Sequence, residues 1–242
     1  MASRILKFDV YDKSKKDLIN EIDKYNKVHI ISGNPEVLTN GLNNEKLFKN
    51  FTSENSIIIP DGIGTIVSSK IVGQPVEEKI AGIELMDELL KKYEKEGKSV
   101  YLLGAVQSTL EECILKIKNK YPKINIAGSH NGFFKLNDCM DIVEDIKNSG
   151  AHALFVAMGC PRQEIFISDN MDKLPCKVYM GVGGSFDVFA GKVQRAPKWM
   201  INMGLEWLYR VSKEPYRIKR LGVIPKFIIK VIKEKNSIKN SI

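Results

Sequence analysis

Apolar residues recur along most of the chain in two alternating rhythms. Short runs of aliphatic and β-branched residues at 28–31, 57–59, 100–103, 124–127, 153–158 and 177–182 have the length and composition of buried strands. A further short strand is predicted at 5–10. Between these runs apolar residues return every three or four positions. Examples are Leu18 and Ile22 after a Ser14 cap, Leu85, Leu89 and Leu90, Leu110, Ile114 and Ile117, and Ile142 and Ile146. Strands thus alternate with helices, and the later strands are nearly all apolar. That pattern predicts an α/β fold, with a mostly parallel sheet covered by helices on both faces.

Polar residues gather where the predicted strands end. The stretch Ile57-Ile58-Ile59-Pro60-Asp61-Gly62-Ile63-Gly64-Thr65 is the clearest case. Pro60 stops the strand pairing, the glycines permit a tight turn, and a helix is predicted to start near Ile63. Asp61 therefore stands at a strand-to-helix junction, the edge where open α/β sheets bind ligands. A carboxylate there can act as a base, and the N–H groups after it can face an anion. An Asp before Gly is also a common turn former or helix cap. Ser32 and Asn34, Gly104, Arg162 and Gln163, and Asp187 follow other strands. In a parallel sheet these ends converge on one edge, forming a cleft of roughly 300–1,000 Å³. His29, inside an apolar strand, reads as a core histidine.

From Ala196 the rhythm changes to helix alone, with Trp199, Trp207 and Tyr209 among Arg195, Arg210, Arg217 and Arg220. Leu221, Ile224, Ile228 and Val231 fall on one helical face, while Lys226, Lys230 and Lys233 fall on another. Such a division suits a membrane-surface helix, and equally a terminal helix docked on the core with a solvated lysine face. Charge sharpens the boundary. The whole chain carries +8, residues 195–242 carry +9 and residues 1–194 carry −1. We therefore divide the chain into an α/β core over 1–194 and a basic helical appendage over 195–242, the latter suited to an anionic partner. The length of 242 residues allows a sizeable core without disulfides. Cys113, Cys139, Cys160 and Cys176 form no Cys-x-x-Cys pair, so free thiols in a reducing compartment are expected. The N-terminus lacks the apolar run of a signal peptide, and no stretch approaches the ~20 apolar residues of a membrane span.

Missing motifs narrow the chemistry. There is no Asp-x-Asp pair and no Gly-x-x-x-x-Gly-Lys-Ser/Thr loop. Gly62-Ile63-Gly64 is only part of a dinucleotide fingerprint, since Val67 occupies the place of the third glycine. A Rossmann-like oxidoreductase is therefore disfavoured. A non-catalytic basic module is disfavoured by the polar strand ends.

Several motifs occur together in a recognisable order. They are Asp61-Gly62-Ile63-Gly64, Ala81-Gly82, Gly159-Cys160-Pro161-Arg162-Gln163-Glu164 and Gly183-Gly184-Ser185-Phe186-Asp187. The runs Ala190-Gly191-Lys192-Val193-Gln194-Arg195-Ala196-Pro197-Lys198-Trp199 and Gly204-Leu205-Glu206-Trp207-Leu208-Tyr209-Arg210 follow. The chain resembles the WecG/TagA/CpsF glycosyltransferases over nearly its whole length. The resemblance implies a Rossmann-like core of the GT-E type and a basic appendage that completes the site at the membrane. For the TagA-like branch it implies inverting transfer of N-acetylmannosamine from UDP-ManNAc to undecaprenyl-diphosphate GlcNAc, giving a β-linkage for teichoic acid or a related surface polysaccharide. A different UDP-sugar donor or lipid-linked acceptor within the family is the alternative.

The same resemblance implies site roles. Asp61 matches the base, Ser32 and Asn34 a polar pair that positions the sugars, and Gln163 a residue beside the sugar. Asp187 falls near the uridine or ribose. Arg210, Arg217 and Arg220 match arginines near the diphosphate. Gly104, at another strand end, joins the candidate substrate-binding set. Ser32 replaces the usual Thr, and Lys79 replaces an Arg expected near the diphosphate, keeping the charge but losing the bidentate fork. No metal and no cofactor are expected. The expected partners are the UDP-sugar, the polyprenyl-diphosphate-linked acceptor and an anionic membrane surface, with no nucleic acid, and a homo-oligomer is left open. The expected location is cytoplasmic, peripheral on the inner face of the plasma membrane.

Overall fold

The computed structural model describes residues 2–203, 205–213 and 222–239. The chain opens with strands β1 (Ala2–Ile5) and β2 (Phe8–Tyr11), helix α1 (Lys15–Ile22), β3 (Val28–Ser32), α2 (Pro35–Asn43) and α3 (Glu45–Phe51). β4 (Ser56–Ile59), α4 (Ile63–Val72), α5 (Gly82–Glu96), β5 (Ser99–Gly104), α6 (Gln107–Lys120) and β6 (Asn125–His130) follow. Next come α7 (Met140–Ser149), β7 (Ala153–Ala157), α8 (Arg162–Asn170), β8 (Val178–Gly181) and the short α9 (Ser185–Phe189). Three further helices are α10 (Lys198–Asn202), α11 (Glu206–Lys213) and α12 (Val223–Lys239).

The eight strands form one sheet in the order β1-β2-β4-β3-β8-β7-β5-β6. β1 is antiparallel to β2, and the other pairings are parallel. Alternate strand residues feed opposite faces. Ile30, Ile57, Val100 and Leu102 pack with Leu18, Leu85, Leu89 and Leu110 of α1, α5 and α6. On the other face Tyr101, Leu103 and Tyr179 meet α7 and α8, while Ile31 and Ile58 meet α2, α3 and α12. The predicted mostly parallel sheet with helices on both faces is therefore present.

One local expectation changes, and of the two readings of the terminal helix the docked one is observed. The strand predicted at 5–10 is a hairpin of two strands, reversing at Leu6 with φ +54°. That reversal carries none of the usual Gly, Asn or Asp turn signals. The terminal helix α12 is docked: Phe227 and Val231 are buried among Ile5, Phe8, Val10 and Val37, and the helix lies against α4 and α2. Its lysines 226, 230 and 233 remain exposed, as do Ile229 and Ile232. Leu221 lies outside the described residues. Among the described residues no helix is long and apolar enough to cross a membrane.

Candidate active site

After β4 the chain jumps over three strands to begin β5 at the far side of the sheet. A cleft of about 510 Å³ opens at the C-terminal ends of β3, β4, β7 and β8. This is the crevice geometry expected where strand order reverses.

Asp61 lines the cleft one turn beyond β4. Its backbone N–H bonds the Ile59 carbonyl at 2.9 Å, which turns the chain sharply out of the strand. Ser32 and Ile59 are partners across β3 and β4, so the two strand ends advance together. That register brings Ser32 Oγ to 2.5 Å from Asp61 Oδ2, to which it donates. The hydroxyl occupies one carboxylate oxygen and leaves Oδ1 to meet a ligand. Gly62, with φ +86°, then starts α4 without a side-chain cap. α5 also begins uncapped, with Gly82 beside Ser32 Oγ and Asp61 Oδ2. The cleft is thus edged by free helical N–H groups and positive dipole ends, which favour anions.

Asn34 also lines the cleft, but its Oδ1 caps α2, accepting from Glu36 N at 3.0 Å and Val37 N at 3.1 Å. Only its NH₂ group is left for a ligand. Gln163 lines the cleft with both ends of its carboxamide engaged: Nε2 donates to Glu164 Oε1 at 2.7 Å and Oε1 accepts from Gly183 N at 3.0 Å. Asp187 lines the cleft from α9 while its carbonyl accepts from Lys192 and Val193. Gly104 does not line the cleft. A Cβ there would meet the Ala157 carbonyl oxygen at 2.3 Å, so this glycine lets β5 and β7 close up beneath the site. Arg162 points away as a clamp, donating to the carbonyls of Gly132 and Phe134.

Lys79 lines the cleft and is ion-paired with Glu206, Nζ to Oε2 at 3.4 Å. Arg195 approaches the same Glu206 oxygen at 3.6 Å and donates to Glu84 at 3.1 Å. Sequence reasoning missed Glu206. Its signal was an acidic residue in a segment with twelve basic and three acidic residues. The side chain of Arg210, and Arg217 and Arg220 entirely, lie outside the described residues. Among the described residues no group of three His, Cys, Asp or Glu side chains could hold a metal ion.

Two buried polar groups, one in β3 and one beside the cleft, have shifted protonation. Burial lowers His29 to about 4, against the hydrogen bond its Nδ1–H donates to Asn50 Oδ1, which pulls the other way, so the ring is neutral and belongs to the core. Burial holds the Glu164 carboxyl above the usual range, opposed by the bond from Gln163.

Comparison with known proteins shows the family. The model of the glycosyl transferase WecG/TagA/CpsF family matches residues 3–241. A Bacillus spizizenii protein named N-acetylglucosaminyldiphosphoundecaprenol N-acetyl-beta-D-mannosaminyltransferase is 37% identical over 216 residues, covering 89% of this chain and 83% of its own. The Bacillus subtilis protein of that name is 38% identical over 204 residues, covering 84% and 78%. A Staphylococcus aureus protein of that name is 37% identical, covering 89% and 84%. With the family model matching residues 3–241 and these relatives 37–38% identical over most of the chain, this mostly parallel α/β protein belongs to the WecG/TagA/CpsF family of glycosyltransferases.

Proposed function

We propose that this glycosyltransferase moves N-acetylmannosamine from UDP-ManNAc to undecaprenyl-diphosphate GlcNAc, with inversion to a β-linkage, in the synthesis of teichoic acid or a related surface polysaccharide. The acceptor and the transferred sugar are those in the relatives' names. One observation carries the chemistry: Asp61 faces the cleft with Oδ2 held by Ser32 at 2.5 Å.

In this reading Oδ1 takes the proton of the acceptor hydroxyl as its oxygen attacks the anomeric carbon. The bond from that carbon to the diphosphate oxygen breaks on the opposite face, and UDP leaves with the electron pair. A positioned base of this kind is worth about 10²–10⁴-fold in rate. The departing diphosphate gains charge, which the N-termini of α4 and α5 and the Lys79 ammonium, all lining the cleft, would stabilise. We take Ser32, Asn34, Gln163 and Asp187 as residues that orient donor and acceptor. Arg210, Arg217 and Arg220 of the appendage would supply further cations. The scheme routes no step through a metal or a cofactor, and chelation with EDTA should leave the rate unchanged. The basic appendage would hold the enzyme on an anionic membrane surface, on the side where nucleotide sugars are made.

A panel of UDP-sugars with a soluble analogue of the lipid acceptor, read by released UDP, tests this reading. UDP-ManNAc should give the highest kcat/KM. Turnover of other UDP-sugars with none of UDP-ManNAc would move the chain to a different donor within the family.

A further inference from the structure

Glu164 follows Gln163 at the start of α8 and is 2% exposed. It does not line the cleft, and the transfer reaction gives it no proton to carry. A buried acid costs stability unless something holds it there. Its Oε1 accepts from Gln163 Nε2 at 2.7 Å, while Oε2 is buried with no hydrogen-bond partner among the described residues. Its own backbone N–H, the Cys160 thiol and the Glu36 carboxylate are the other groups that act on it.

Gln163 is packed as closely as it is bonded. A Cβ on Gly181 would come within 2.5 Å of Gln163 Nε2, so the carboxamide lies flat against the end of β8. Its Oε1 meets the N–H of Gly183, which has φ +50°. A carboxamide has two orientations that differ only by exchanging O and N. With an acceptor at Glu164 and a donor at Gly183, one orientation makes two hydrogen bonds. The other places like against like at both ends.

We propose that Glu164 is a positioning residue for the cleft, fixing the orientation of Gln163 and, through it, the turn at 181–184. It follows that Gln163 presents a donor to the cleft, its second Nε2 hydrogen, because its oxygen is committed to Gly183. The inference rests on the transfer reaction for its kinetic consequence and on the hydrogen bonds alone for its structural one.

Glu164→Gln keeps an acceptor in place, and Glu164→Leu removes it while keeping an apolar side chain of similar size. Glu164→Leu removes a buried acid but also leaves Gln163 Nε2 without its acceptor, which costs stability, so the kinetics are compared at a temperature where every variant is folded. Glu164→Leu should lower kcat/KM for the UDP-sugar at least tenfold, and Glu164→Gln should recover most of that loss. In a Gln163→Ala background Glu164→Leu should add less than a twofold effect. Wild-type kinetics in Glu164→Leu, an equal loss in Glu164→Gln, or a further tenfold loss in the Gln163→Ala background would each overturn the proposal. Amide exchange of Gly183, read by NMR without substrate, tests the same point without turnover. It should accelerate in Glu164→Leu and stay slow in Glu164→Gln, and equal protection in all three proteins would also overturn the proposal. If the wild-type enzyme transfers no sugar from a UDP donor, the functional reading fails while the exchange result still decides the role of Glu164.

Discussion

Ser32 and Asp61 come from adjacent parallel strands and meet because the strand ends are in register. The hydroxyl sets which oxygen of the carboxylate is free, so its loss should disorder the base without removing it. Ser32→Ala is expected to lower kcat about tenfold, well short of the range for removing a general base, and Ser32→Thr to restore it. His29 tests a different property. Its folded value of about 4 lies below the ordinary 6.5, so the unfolded chain binds a proton over that window and the folded chain resists it. The stability it contributes is complete above about pH 6.5 and is lost as pH falls through about 4, on the order of 3 kcal/mol in all. The urea midpoint of the wild type should fall more across that window than that of His29→Gln. A parallel fall in both would assign the acid sensitivity elsewhere.

At the scale of elements, α11 meets the core through charge, and α12 meets it through apolar packing. Glu206 holds Lys79 and Arg195 at 3.4 and 3.6 Å, which are cations an incoming diphosphate would also seek. Glu206→Gln should therefore tighten UDP binding several-fold at low salt, and an unchanged Kd would show that Lys79 does not reach the nucleotide. Phe227 is 2% exposed, so Phe227→Ala should cost on the order of 3 kcal/mol of stability, read by urea unfolding. The pattern of the sequence was enough to predict most elements, because apolar runs and caps such as Ser14 are local signals. It did not reveal the turn at Leu6 or the five-residue α9, which lack turn residues or length. It also placed Gly104 in the site, because a polar-looking strand end and a glycine needed for strand packing read alike. Asp61 was legible because strand, proline and glycines surround it. Glu164 was hidden by adjacency: only the projection of Gln163, Phe166, Ile167 and Asn170 onto one buried helix face shows that it sits inside.

At the scale of the whole molecule, the basic excess lies on a segment that also seals the core. Phe227 faces inward and is committed, whereas Ile229, at 53% exposure, and Ile232, at 40%, lie beside exposed lysines. In our proposed membrane role, contact with an anionic surface falls to those residues. Ile229→Glu with Ile232→Glu should weaken sedimentation with anionic vesicles while leaving the melting temperature unchanged. Undiminished vesicle binding would move the contact to another surface. The central claim is chemical, and Asp61→Asn addresses it with little change of shape. Released UDP measured with donor and acceptor analogue, alongside UDP affinity by calorimetry, should show kcat reduced at least a hundredfold with Kd within about twofold. Turnover near the wild-type rate in a folded Asp61→Asn enzyme that binds UDP normally would contradict the account.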